Sequence, residues 1–299
     1  MSDLWTMYPH FGELYAGGTL ICRFNPDDSR SRGLYVTSNG VEGWDTMPDA
    51  KVELTERGQG DGAHDVPESD LIYSARTVTV HYEAIGLSRG ELLSIMRKIN
   101  RLAHRNARLR FSDGGEDTYV DGYLAQMGRS SAWHPTLEND LTLHFVCPRP
   151  ERLSWTPHRC QLKPTSDGRG GLFYGGARAG LVYPLTYGRQ ATDSRNVGTL
   201  LNNGSSRAYP VFTVYGGFDS GVILQFSGGS SIRWTGSVGG TPLVLDCRLG
   251  TATMGGRDVS RYLMSRGFPT VQSGGSLSVS LQSAGTGYVD CLVRDTWIG

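Results

Sequence analysis

Lysine is nearly missing from this chain: Lys51, Lys98 and Lys163 are the only three among 29 basic residues. The other cations are arginines, and 29 Asp and Glu balance them to a net charge of zero and a pI of about 7.0. A wholesale nucleic-acid binder would carry a basic excess, so that class is set aside. Weak self-repulsion suits a protein that associates with neighbours. Cysteine is sparse and unpaired: Cys22, Cys147, Cys160, Cys247 and Cys291 contain no C-x-x-C. A metal cluster or a disulfide framework needs paired spacing, so reduced thiols are expected. Cys147, Cys247 and Cys291 lie in apolar strand-like runs, where a thiol behaves as a small buried hydrophobe. No stretch approaches the roughly 18 apolar residues of a membrane span. The segment from Met1 to Phe11 lacks a basic run leading into an apolar one. A soluble protein with neither signal peptide nor membrane insertion is expected.

Motifs of catalysis are also lacking: there is no G-x-S-x-G, H-E-x-x-H, P-loop or His pair at i, i+4. Gly58-Gln-Gly60-Asp-Gly62-Ala imitates a dinucleotide fingerprint, but a polar, proline-containing loop follows it where a helix is required. Asp113-Gly-Gly-Glu116 lacks the alternating acids of a calcium loop and reads as a turn. Glu138, Asp140 and Asp246 could be drafted as a glycosidase pair only if two faced each other across a cleft. The seven histidines are dispersed, and the six tryptophans form no evident cluster with polar partners. Asn203-Gly-Ser205 reads as a hairpin turn. No catalytic, cofactor-binding or metal-ligating residue is assigned, and an enzyme is not expected.

What is abundant is glycine, 41 residues gathered between short alternating segments. Along Arg76-Thr-Val-Thr-Val-His-Tyr-Glu-Ala the apolar residues Val78, Val80, Tyr82 and Ala84 share one face. Leu141, Leu143, Phe145 and Cys147 repeat that pattern, as do Leu277, Val279 and Leu281. Shorter strands are expected at 20–24, 108–111, 119–124, 211–215, 222–226, 231–234, 243–247 and 288–294. One helix is expected at about 88–104. It opens on the capping-box sequence Ser88-Arg-Gly-Glu91 and carries Leu92, Met96, Ile99 and Ala103 on one stripe. Its other faces hold Arg97, Lys98, Arg101 and Arg105, an ordinary solvated face or one that meets a neighbouring subunit or acidic partner. Three prolines between Cys147 and Pro157 suggest an exposed, protease-sensitive linker. The expected class is mainly β in two domains. Residues 1–150 form a β-sandwich with one packed helix, and 151–299 form an almost pure antiparallel β-sandwich.

Two regions together resemble the distal tail protein family of siphophages. From Val52 to Phe111 come a strand, the Gly60-Asp-Gly62-Ala loop, the Arg76-led strand, an amphipathic helix and a strand at Leu109. That order is similar to the family's ring-forming, tail-tube-like domain. Further on stand Gly170-Gly-Leu-Phe-Tyr, Gly180-Leu-Val-Tyr-Pro-Leu, Asn196-Val-Gly198 and Ala208-Tyr209-Pro210 through to Gly216. Leu-Asp246 precedes a Gly-rich turn, and a strand closes the chain. This order is similar to the galectin-like jelly roll that ends family members. The resemblance implies a homohexameric ring at the distal end of a non-contractile tail, assembled in the host cytoplasm. Its partners would be the tail-tube protein, the tail-associated hub protein and receptor-binding proteins, with DNA only passing through the lumen. The alternative reading is an adhesion protein whose second domain docks host-surface glycans. Fold alone does not carry sugar binding with it.

Overall fold

The computed structural model describes residues 11–27, 29–129, 133–164 and 196–299, so the family-like segments at 170–174 and 180–185 lie outside the described residues. It is mainly β. The chain divides into two compact units, Met1–Thr156 with Thr296–Gly299, and Pro157–Asp295.

The first unit is built on one sheet. Its strands are β1 (Phe11–Ala16), β2 (Thr19–Phe24), β3 (Gly33–Glu42), β4 (Arg76–Ile85), β5 (Asn106–Asp113), β6 (Glu116–Gly128), β7 (Leu137–Cys147) and β8 (Arg152–Ser154), joined by the C-terminal strand β20 (Thr296–Trp297). The order β20-β8-β6-β5-β1-β2-β3-β4-β7 closes on itself because the far half of β6 also pairs with β7. The sheet-on-sheet core expected here is therefore one sheet wrapped into a barrel, which leaves no open edge between β6 and β7. Val78, Val80 and Tyr82 of β4 lie opposite Phe145, Leu143 and Leu141 of β7, and with Ala84 and Cys147 they are fully buried. A bulge between Tyr82 and Ala84 places Asp140 at positive φ opposite it. The turn at Asp113–Glu116 is a two-residue hairpin with Gly114 and Gly115 both at positive φ, the conformation a right-twisted hairpin demands.

The one α-helix among the described residues, α1 (Arg89–Asn100), buries Leu92, Met96 and Ile99 in the barrel's core cluster. Ser88 accepts from the Glu91 amide, while Glu91 reaches back to the amide of Leu87, one residue before the cap. The helix ends at Asn100, short of the expected 104, because residues 101–105 tighten into i to i−3 turns. Leu102 stays buried on those turns and Ala103 is exposed.

The described residues of the second unit form two antiparallel sheets. One holds β10 (Val197–Leu201), β12 (Val222–Phe226), β13 (Ser231–Trp234), β17 (Leu263–Arg266) and β18 (Ser276–Leu281). The other holds β9 (His158–Leu162), β11 (Val211–Tyr215), β14 (Leu243–Asp246), β15 (Thr251–Met254), β16 (Arg257–Asp258) and β19 (Tyr288–Val293). Alternate residues of both sheets, among them Phe212, Leu245 and Cys291 on one side and Leu224, Ile232 and Val279 on the other, share one core.

Two expectations need correction. The proline-rich stretch is not an exposed linker: Arg152, Leu153 and Ser154 are a buried strand paired with β6 and β20. Proline at 148 and 150 ends β7 without preventing the chain from rejoining the sheet. Nor does Asn203-Gly-Ser205 form a hairpin, since β10 and β11 belong to different sheets. Asn202 is fully buried there, and its amide donates to the carbonyls of Ser206, Val271 and Gln272.

Candidate functional site

Arg76 opens β4 on the face that enters the core, so its guanidinium is carried where a charge needs many partners. It finds carbonyls alone. Nη1 donates to Gly43, to Trp44 at 2.7 Å and to Thr46 at 3.0 Å; Nε donates to Pro150 at 2.7 Å and Nη2 to Ile298 at 2.5 Å. Burial, and then the nearby Arg152 charge, lower its pKa, yet a guanidinium remains charged. The chemistry of this group is fastening: it ties the end of β3, the stretch after β7 and the C-terminus to one point.

Between β3 and β4 lies a long irregular arm. Its two sides are laced by Lys51 N–H to Ile72 (2.7 Å), Ser74 N–H to Asp49 (2.8 Å), His64 N–H to Thr55 (2.9 Å) and Arg57 N–H to Gly62 (3.1 Å). Gly60 and Gly62 sit at its tip with positive φ and open space around them, so they make the reversal and cradle nothing. The arm's Leu54 and Ile72 are 62% and 51% exposed. On α1 and the turns after it, Arg97, Lys98, Arg101 and Arg105 are exposed, and none has a side-chain hydrogen bond or ion pair with another described residue. Arg97 and Lys98 complement the helix dipole. Arg101 and Arg105 lie beyond the helix end.

The remaining motif positions are structural fittings of the second unit. Asn196 accepts the amide of Leu281 at 2.7 Å, and Gly198 brings β10 so close to β9 that a Cβ there would stand 2.6 Å from Cys160 Sγ. Tyr209 packs against the core, and Pro210 accepts from the Cys247 amide at 3.1 Å. Gly216 adopts φ +32° in the turn after β11. Asp246 accepts from the amides of Arg248 and Leu249 at 2.8 and 3.0 Å, which locks the β14–β15 turn. These positions do not converge on one chemical centre.

Other groups were not foreseen. On the outer face of β1, β5 and β6, Arg110 forks onto Asp117 at 2.7–2.8 Å and reaches the buried Glu13 at 2.7 Å while lying over the Trp155 ring. The Asp117 hydrogen bond raises the Arg110 pKa further. Arg108 pairs with Asp121 and covers Tyr119 in the same way. Alternation along 108–111 was legible, but the pairing across strands was not. In the second unit, His158 Nε2 stands 3.0 Å from Asp295, which also accepts the Asn203 amide at 2.7 Å. Cys160 and Cys291 lie directly opposite each other on β9 and β19. A hydrogen bond between the thiols lowers the Cys160 pKa and raises that of Cys291.

A cleft of about 530 Å³ in the first unit is lined by Phe11, Trp44, Asp45, Phe111, Glu116 and Arg152, among others. Its tryptophan is 6% exposed and packed edge-on to Phe111, so no free ring face is offered for stacking. Trp234, the one tryptophan between 157 and 295, is 4% exposed. Glu138 is held by Arg129, Asp140 sits at the bulge and Asp246 locks its turn, so each of these acids has a structural place. Among the described residues no group of three or more His, Cys, Asp or Glu could hold a metal ion, and no helix is long and apolar enough to cross a membrane.

No family model matches the chain, and no curated protein matches it in sequence. Solved structures do match. The Dit protein of phage SPP1, described as a paradigm of the hub adsorption apparatus in phages infecting Gram-positive bacteria, aligns with a TM-score of 0.58 and 11% identity over 95% of this chain and 98% of its own. A chain of the phage P2 baseplate, in its activated conformation with Ca, gives 0.53 and 9% over 96% and 97%. The corresponding baseplate with Sr gives 0.53 and 9% over 95% and 97%. At these identities the likeness is one of fold, and the alignments with the SPP1 hub protein and with these baseplate chains take in both units of this chain.

Proposed function

We propose that this chain is a structural component of a phage tail tip that closes into a homohexameric ring. The observation that carries the reading is the agreement in fold with a phage hub protein and phage baseplate chains across nearly the whole length of both partners. In this reading the first unit forms the ring between the tail-tube protein and the tail-associated hub protein. The second unit is a galectin-like jelly roll that faces receptor-binding proteins. Its function is geometric: it joins symmetric parts, keeps a lumen open for DNA and catalyses nothing. The motif residues agree, because Arg76, Gly198 and Asp246 each fasten or close-pack the backbone. The glycan-docking alternative puts the sugar on the second unit and gains no support from its tryptophan, since Trp234 is buried, while the exposed Trp133 belongs to the first unit.

The test is immunogold labelling of intact virions with antibody raised against the purified chain. Gold at the distal end of the tail is expected. Label along the tail shaft, on the head, or nowhere on the virion would contradict the placement.

A further inference from the structure

The chain is neutral as a whole and strongly polarised within its first unit. The arm at 49–74 carries Asp49, Glu53, Glu56, Asp61, Asp65, Glu68 and Asp70 against only Lys51 and Arg57, an excess of five negative charges. From residue 92 to 112 there is no acid at all, and Arg97, Lys98, Arg101 and Arg105 make that stretch strongly positive. Inside one chain the two do not neutralise each other. Arg57 turns inward to Asp65, at 3.5 Å, while the four cations of the helix stretch have no side-chain ion pair with any described residue. The arm also exposes Leu54, Leu71 and Ile72, apolar area that a free monomer gains nothing by showing to water.

We infer that the acidic arm of one copy lies on the basic α1 face of the next copy around the ring. The inference rests on the ring reading above and deepens it by naming the contact. Arm and helix are different surfaces of one unit, so their pairing is head-to-tail, the kind of interface that generates a closed ring. Opposite charges set register and partner choice. Leu54 and Ile72 supply apolar area that charge alone does not. The basic stretch, an ordinary solvated face on the sequence alone, then has its counter-charge in the same gene product. That is how a chain of zero net charge can hold two strongly charged surfaces.

Two reversed full-length chains test the contact. The arm variant carries Glu53→Lys, Glu56→Lys and Asp61→Lys; the helix variant carries Arg97→Glu, Arg101→Glu and Arg105→Glu. All six positions are exposed, so both variants should melt near the wild type. Carboxylates near a helix C-terminus oppose its dipole. The set Arg97→Gln, Arg101→Gln and Arg105→Gln is therefore the control that loses the attraction without that penalty. By native mass spectrometry each reversed variant alone should lose the ring, because like charges then meet at every interface. An equimolar mixture should regain it, with the two variants alternating, since each reversed arm now meets a reversed helix. Wild-type rings that persist unchanged in both variants would overturn the arm–helix contact and leave the ring standing. Variants that lose the ring but do not regain it on mixing would also overturn the contact, assigning those charges to a different surface. A wild-type chain that stays monomeric would overturn the ring reading itself.

Discussion

Arg76 shows how one residue can be read from sequence as a motif and still hide its role. Its place at the head of an alternating strand is plain, but its partners lie 30 to 222 residues away, and nothing local announces them. Replacing it with Met removes the donors of five carbonyl bonds and strands acceptors in a dry site. The first unit should lose about 3 kcal/mol or more, in line with the breaking of other buried charge networks. A leftward shift of the urea transition followed by tryptophan fluorescence checks this; an unmoved midpoint would remove Arg76 from the account. The cysteines give a second prediction at this scale. Cys22 and Cys147 are pushed up to about 12 by burial, and Cys247 is raised by the same cause. Cys160 is only half-buried, and its thiolate is favoured by the Cys291 hydrogen bond. A lowered pKa means that thiolate forms from below the ordinary thiol range as pH rises. Iodoacetamide should therefore label Cys160 first in the folded protein, read by peptide mass. Equal labelling of all five thiols would show that the native packing differs.

At the scale of elements, the strands that bury one face were legible because alternation is their physical signature. The helix was legible for the same reason, from its stripe and its cap. Several of the elements missed are ones whose burial does not alternate. In β1, Gly12, Glu13 and Leu14 are buried in succession, with Glu13 held by Arg110 and Tyr15. β8 is buried throughout and flanked by proline, and β20 is a two-residue strand whose partner, at Arg152 and Leu153, lies half the chain away. The candidate assembly surfaces were only half legible: the basic helix face was visible as a charge run, but the arm read as a loop without a partner. Two predictions belong here. Ile99→Asp should unfold the first unit, since the carboxylate enters a fully buried position in an apolar cluster. A native-like melting curve would mean that α1 does not pack as described. Trypsin should cut at Arg57, near the exposed arm tip, well before it cuts at Arg152, which is 4% exposed in a paired strand. First cleavage at Arg152 would contradict the placement of β8.

At the scale of the molecule, the proposed scaffold role rests on the agreement in fold with phage hub and baseplate chains across both units. Its residues of interest hold backbone, close turns or present charge. The loops that could have carried chemistry, Gly58–Gly62 and Asp113–Glu116, are an arm tip and a hairpin. The measurement that tests the central claim most directly is the native mass of the purified wild-type chain, with negative-stain images of the same sample. The account predicts a closed ring of six 32.6 kDa chains, about 196 kDa, with a central opening. A single species at the mass of one chain across the accessible concentration range, with no rings on the grid, would contradict it.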